Sequence, residues 1–133
     1  MAYRILLVED NPASLELMRY LLQSAGYETW LASNGQEAMH HLAAGLPDLV
    51  LTDIQMPMMD GYELLAYIRA DARLQALTVV ALTAYSMPGD QERVMRAGFD
   101  GYMAKPIDPE TILQEIERFL PPGPAGAAGA RLG

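Results

Sequence analysis

Apolar and polar residues follow two rhythms along this chain. Short unbroken apolar runs, suited to strands buried on both faces, take turns with longer stretches in which apolar residues recur every three or four positions, as on a helix. The first run is Tyr3-Arg4-Ile5-Leu6-Leu7-Val8, stopped by Glu9-Asp10-Asn11-Pro12. Asn11 is suited to cap a helix, with Pro12 at its first position. Leu15, Met18, Leu22 and Ala25 then fall at helical spacing up to Gly26. Residues 28–32 predict a shorter strand, and Asn34-Gly35-Gln36-Glu37 opens a helix with capping-box spacing that runs to Ala44 and stops at Gly45.

The third run, Leu49-Val50-Leu51-Thr52-Asp53, brings four residues suited to a buried strand and then one carboxylate. After Gln55-Met56-Pro57, Asp60-Gly61-Tyr62-Glu63 repeats the cap pattern ahead of Leu64, Leu65 and Ile68. Residues 78–82 predict a fourth strand, β-branched at its start, closed by Thr83-Ala84. Ser86-Met87-Pro88 predicts the start of a helix ending near Ala97-Gly98, and residues 101–104 a short fifth strand followed at once by Lys105-Pro106. Asp108-Pro109 is expected to cap a last helix, with Ile112, Leu113, Ile116 and Phe119 as its buried stripe. From Pro121 the chain is Pro, Gly and Ala without periodicity, which predicts a disordered tail over 121–133 behind one domain over 1–120.

Five strands alternating with five helices through short loops specify an α/β fold: a five-stranded parallel sheet covered on both faces, a three-layer α/β/α sandwich. The connection rules leave several strand orders open. A chain of 133 residues is long enough to bury a core without staples. It has no cysteine, so neither disulfides nor thiolate metal sites are available. Nothing resembles a secretory signal, and no apolar run approaches the ~20 residues of a membrane helix, so a cytoplasmic protein is expected. The net charge of −8 argues against direct binding of nucleic acid, because Arg69 with Arg73, or Arg93 with Arg96, is too sparse a basic cluster to attract phosphates.

The chemistry gathers at strand ends. The first strand ends in Glu9-Asp10, the third in Asp53, the fourth in Thr83 and the fifth in Lys105. In a parallel sheet all of these share one edge, where ligands bind in open α/β folds. Three carboxylates brought together repel one another unless a divalent cation holds them ionised, and an all-oxygen set suits Mg²⁺ better than zinc. Lys105 and Thr83 suit a bound anion, one as a point charge and the other as a hydroxyl donor. Taken singly, Glu9-Asp10 reads first as a polar strand terminus, Thr83 as a structural hydroxyl bonding nearby backbone and Lys105 as a solvated lysine, and Asp53 could be a loop acid or a helix cap. Their joint placement at four strand ends points to phosphoryl transfer with a carboxylate nucleophile.

With Leu6-Leu7-Val8-Glu9-Asp10-Asn11, Asp53-Ile54-Gln55-Met56-Pro57, Asp60-Gly61, Thr83-Ala84 and Tyr102-Met103-Ala104-Lys105-Pro106 in view, the chain resembles the receiver domain of two-component response regulators over residues 3–120. The resemblance implies a flavodoxin-like strand order of 2-1-3-4-5 and a cis bond at Lys105-Pro106. It implies Asp53 as phosphoacceptor from a histidine kinase or histidine phosphotransfer protein, in a signalling phosphoacceptor rather than an enzyme acting on other molecules. Asp10 would ligate Mg²⁺ directly, Glu9 through water and Gln55 through its backbone carbonyl. Lys105 would pair with the phosphoryl oxygens, Thr83 would swing toward them past the small Ala84, and Tyr102 would be the aromatic that moves with Thr83. The switching face toward a downstream protein target would be residues 88–119.

Gln55 and Tyr85, two residues beyond Asp53 and Thr83, flank the route of water to an acyl phosphate and are expected to tune its lifetime. Tyr85 shielding the phosphate and Tyr85 packing on the next helix are equally consistent with the sequence. A haloacid-dehalogenase-like phosphatase would want a second acid where Gln55 stands, and a pseudo-receiver would lack some of the chemical residues, all of which are in place. Neither a stand-alone protein nor a domain of a hybrid kinase is favoured by the Ala/Gly/Pro tail. His40 and His41, in the second predicted helix, are expected on its surface and margin, remote from the strand ends.

Overall fold

A computed structural model describes residues 2–84 and 89–120. In chain order the elements are β1 (Arg4–Val8), α1 (Pro12–Ser24), β2 (Glu28–Ala32), α2 (Gly35–Ala44), β3 (Leu49–Asp53), α3 (Gly61–Ala70), β4 (Val79–Thr83), α4 (Asp90–Ala97), β5 (Gly101–Ala104) and α5 (Ile112–Phe119). All four strand pairings are parallel, and the order across the sheet is β2-β1-β3-β4-β5. This is the flavodoxin-like winding that the family resemblance implied.

Side chains of the strands alternate between two cores, as the period of two along a strand requires. Leu6, Val8, Val50, Val79 and Ala81 pack with Ala38 and Leu42 of α2, Leu64, Leu65 and Ile68 of α3, and Val94 of α4. Ile5, Leu7, Leu49, Leu51, Val80 and Leu82 pack on the other face with Met18 and Leu22 of α1 and Ile112 and Ile116 of α5. Both faces of the sheet are therefore covered, and the central strand β3 is buried at every position. An apolar run without alternation is what such a strand requires.

Local chemistry sets most helix starts. Asn11 Oδ1 accepts from Ser14 N at 3.0 Å, and Asn34 Oδ1 accepts from Glu37 N at 2.9 Å. Asp60 and Glu63 form a complete capping box, Asp60 Oδ1 accepting from Glu63 N at 2.8 Å and Glu63 Oε1 from Asp60 N at 3.2 Å. Glu37 departs from the expected box: its carboxylate turns outward to accept from Ser33 N and Ser33 Oγ at 2.7 and 2.9 Å. One residue further back, Ser33 offers two donors where Asn34 would offer one.

Three boundaries move by comparison with the sequence pattern. β1 begins at Arg4 rather than Tyr3, and β4 spans Val79–Thr83 rather than 78–82. The last helix begins at Ile112, not beside Asp108. Asp108 does nucleate a turn, its Oδ1 accepting from Glu110 N at 2.9 Å and its carbonyl from Thr111 N and Ile112 N. That turn leads into the helix without belonging to it. The expected helix start at Ser86-Met87-Pro88, and the tail over 121–133, lie outside the described residues.

Candidate functional site

Parallel pairing places the carboxyl ends of β1, β3, β4 and β5 on one edge of the sheet. β1 and β3 are neighbours, so Glu9 and Asp10, just past Val8, meet Asp53, the last residue of β3. One carboxylate oxygen from each of Glu9, Asp10 and Asp53 lies within 4.8 Å of the other two. Glu9 and Asp53 are buried, while Asp10 is exposed at the rim. Lys105 follows β5 at the far edge of the sheet and reaches back across β4, its Nζ 2.8 Å from Asp53 Oδ2 and 2.8 Å from Glu9 Oε1. The Lys105-Pro106 peptide bond is cis.

The Lys105 contact to Asp53 is a hydrogen bond, whereas the one to Glu9 is an ion pair without hydrogen-bond geometry. Glu9 Oε1 is thereby a buried oxygen with no hydrogen-bond partner among the described residues. Burial pushes the Glu9 carboxyl above the ordinary glutamate range, and the nearby Asp53 adds to the rise. The Lys105 ammonium and the Asn11 N–H, which donates to Glu9 Oε2 at 3.1 Å, oppose it without cancelling it. Burial also works against the charge on Lys105, but Asp53 and Glu9 outweigh it and raise the pKa of the ammonium.

Three carboxyl groups face one ammonium, so the cluster is short of positive charge. Its donor set is all oxygen, and the buried Glu9 Oε1 has the Lys105 ion pair alone, shared with Asp53; these are the features of a site for a hard divalent cation. Gln55, expected to contribute its backbone carbonyl, is exposed, and its N–H donates to Asp53 Oδ1 at 3.3 Å.

The end of β3 is held in place from several sides. Ile54 N donates to Leu82 O at 3.3 Å, Gly61 N donates to Ile54 O at 2.8 Å, and Thr52 Oγ1 donates to Asp53 O at 2.9 Å. A Cβ added at Gly61 would lie 2.6 Å from Asp53 O and 2.8 Å from Ile54 Cα, both backbone atoms. Only glycine lets the start of α3 approach the strand end this closely. Sequence reasoning marked Gly61 as part of a helix start; its packing role carries no local signal beyond the Asp-Gly pair.

Thr83 is buried at the end of β4, and Ala84 beside it is exposed. Tyr102, in register with Ala81 across β4 and β5, is half-buried against the core on the α2–α4 side. Tyr85 lies outside the described residues. His40 is exposed, and His41 stacks on Trp30 with ring centroids 5.5 Å apart and its Nε2 2.9 Å from Leu31 O. Both belong to α2, and His41 packs against β2 rather than joining the acid cluster. Among the described residues no helix is long and apolar enough to cross a membrane.

A carboxylate ends a central parallel strand, two acids follow the neighbouring strand, and the lysine that meets them stands immediately before a cis-proline. The chain is 37% identical over 116 residues to the polar-differentiation response regulator DivK of Brucella anthropi, covering 87% of this chain and 94% of that one. The receiver domain of a sensor histidine kinase from Pseudomonas aeruginosa PAO1, solved with a magnesium ion coordinated in its active-site cleft, is 33% identical. It superposes with a TM-score of 0.81, covering 90% of this chain and 98% of that one. A co-crystal of a Saccharomyces cerevisiae histidine phosphotransfer protein with the receiver domain of its downstream response regulator gives 27% identity and a TM-score of 0.81, covering 89% and 88%. The family model of the response regulator receiver domain matches residues 5–117, the whole span from β1 into α5, and the chain belongs to that family.

Proposed function

We propose that this chain is a phosphoacceptor: Asp53 takes a phosphoryl group from a phosphohistidine, with Mg²⁺ bound, and the change is passed through residues 88–119 to a partner protein. The observation that carries this reading is the convergence of Glu9, Asp10, Asp53 and Lys105, with Lys105 Nζ 2.8 Å from the Asp53 carboxylate. Asp53, Asp10, Glu9 and the Gln55 carbonyl would hold the cation, which supplies charge neutralisation at the transferring phosphoryl group.

An Asp53 oxygen attacks phosphorus in line, the P–N bond of the phosphohistidine breaks, and the imidazole leaves with the bonding electron pair. The product is an acyl phosphate on Asp53. Lys105, already aimed at this carboxylate, exchanges the carboxylate oxygen for a phosphoryl oxygen as its partner. The backbone contacts around Ile54 and Gly61 fix the attacking carboxylate before the donor arrives, which is where positioning contributes most to phosphoryl transfer. Catalysis is confined to the protein's own loading and unloading.

The product adds negative charge where acids already cluster, so nearby donors reorganise. Thr83 turns its hydroxyl toward the phosphoryl group, and Tyr102, half-buried one strand away, follows it into the space released. Gln55, exposed at the mouth, governs how water reaches the acyl phosphate. Donor proteins of the histidine kinase or phosphotransfer kind reach Asp53 from the edge of the sheet, where Met58 of the β3–α3 loop is an exposed apolar residue. The cytoplasm, where such donors act, is the expected compartment.

The test is to incubate the protein with Mg²⁺ and a small phosphoramidate, then assay for an acid-stable, base-labile phosphoryl group. Labelling lost on Asp53→Asn is expected. Labelling that survives this substitution overturns the assignment.

A further inference from the structure

One cluster of basic side chains is not absorbed by the phosphoacceptor reading. A cleft of about 440 Å³ opens between the β3–α3 loop and α4, lined by Gln55, Met56, Pro57, Asp60, Tyr62 and Arg93. Beside it, a shelf of about 360 Å³ is formed by Tyr62, Arg93, Arg96 and Ala97. Tyr62 belongs to both and is half-buried between two neighbours. Its ring packs edge-on against the buried Phe99 at 5.8 Å, and the Arg93 guanidinium lies over it 5.9 Å from the centroid.

Charge sets this place apart. On a chain of net charge −8, Arg4, Arg19 and Arg69 are each paired to a carboxylate, Lys105 is committed to the acid cluster, and Arg73 donates to the Leu42 carbonyl. Arg118 stands as a single arginine on α5 without an ion pair among the described residues, so that Arg93 and Arg96 are the one place among those residues where two weakly engaged arginines share a surface. Arg93 has no ion pair among the described residues, and Arg96 has only Glu92 at 3.5 Å, with both side chains more than three-quarters exposed. Such a pair contributes almost nothing and opens readily. Asp60, the acid in the cleft, is already engaged in capping α3. A guanidinium held on an aromatic face keeps its donor edge free for a carboxylate fork.

We propose that the cleft between the start of α3 and α4 is a docking site for an acidic segment of a partner protein. Arg93 and Arg96 take its carboxylates, and an apolar side chain between those acids rests on Tyr62 and Ala97. This rests on the reading that residues 88–119 face a protein target, and it extends that face across to α3 and gives the target a chemistry. Two arginines beside an anchored tyrosine have the composition of an interface hot spot. The overall negative charge of the chain works against a long polyanion such as nucleic acid, while a short acidic segment feels mainly the local guanidinium pair.

The test titrates the ¹⁵N-labelled full chain with a capped heptapeptide in which glutamate alternates with leucine. The same titration is run with its glutamine counterpart and with a short oligothymidylate. The expected result is saturable amide shifts grouped at Tyr62, Arg93, Arg96 and Ala97 with the glutamate peptide, weakened by added salt and absent with the other two ligands. Arg93→Gln and Arg96→Gln each weaken binding by about tenfold. Arg96 is exposed, so Arg96→Gln preserves the fold even where Arg93→Gln disturbs Tyr62, and Arg93→Lys retains part of the affinity. Equal binding of the glutamine peptide, unchanged affinity in the double variant, or equal response to the oligothymidylate overturns the proposal. Phosphoramidate labelling of Asp53 in the same variants is a separate readout. Labelling with no docking defeats only this inference, and docking without labelling defeats only the phosphoacceptor reading.

Discussion

Lys105 Nζ donates to Asp53 Oδ2 at 2.8 Å across 52 residues of chain and the intervening strand β4. The same ammonium sits against Glu9, so one cation neutralises parts of two buried acids. Lys105→Met leaves Glu9 and Asp53 facing each other without it. Uncompensated buried charge is costly, and a loss of about 1–3 kcal/mol is expected in the metal-free protein. Chemical unfolding measures it. The variant should also lose at least about tenfold in the rate of Asp53 labelling, since the charge on the transferring group is no longer met.

Divalent metal should act on stability in the opposite sense. A ligand that binds only the folded chain adds RT ln(1 + [L]/Kd), about 2.7 kcal/mol at a hundredfold excess over Kd. Adding Mg²⁺ should therefore raise the unfolding temperature, and a chelator should reverse the rise. Asp10 lies exposed at the rim, so Asp10→Asn should leave the metal-free fold nearly unchanged and abolish most of the Mg²⁺ response. A response that persists in full in this variant removes Asp10 from the metal site.

Gly61→Ala tests the close approach behind Asp53. The added methyl would stand 2.6 Å from Asp53 O, and backbone rather than a flexible side chain would have to yield. A cost of about 1–3 kcal/mol follows from overpacking of this kind. Because the displaced atoms belong to Asp53 and Ile54, labelling of Asp53 should slow even under conditions where the variant is fully folded.

A pH effect is expected from Glu37, far from the acid cluster. Hydrogen bonds from Ser33, first through its N–H and then through its hydroxyl, hold this carboxyl below the ordinary glutamate range. A carboxyl with a depressed folded pKa contributes stability above its unfolded pKa of about 4.3 and loses it as pH falls through the folded value. The group is exposed, so the contribution is about 0.5 kcal/mol at most. Glu37→Gln should be slightly less stable than the parent at neutral pH, and the difference should close in acid. A difference that widens on acidification contradicts the sign.

Most of the elements were legible because the forces that specify them are local. Asn11, Asn34 and Asp60 cap helices through contacts three residues away, and the unbroken run at Leu49–Asp53 needs only burial on both faces to be a strand. Where a local rule met a competing neighbour, the reading shifted. Glu37 found two donors on Ser33, and Asp108 spent its caps on a turn ahead of α5.

The sequence by itself determined which residues end strands, and hence that Glu9, Asp10, Asp53, Thr83 and Lys105 share an edge of any parallel sheet. Only the tertiary structure decided their order and distances. β1 lies between β2 and β3, which brings Glu9 and Asp10 beside Asp53, and β4 separates Asp53 from the strand that launches Lys105. Strand order depends on contacts between residues tens of positions apart, which no period of two or 3.6 encodes. The seat of Gly61 on Asp53 emerged only once α3 was docked on the end of β3, and the placement of Arg93 over Tyr62 only once α3 and α4 lay on the same face of the sheet.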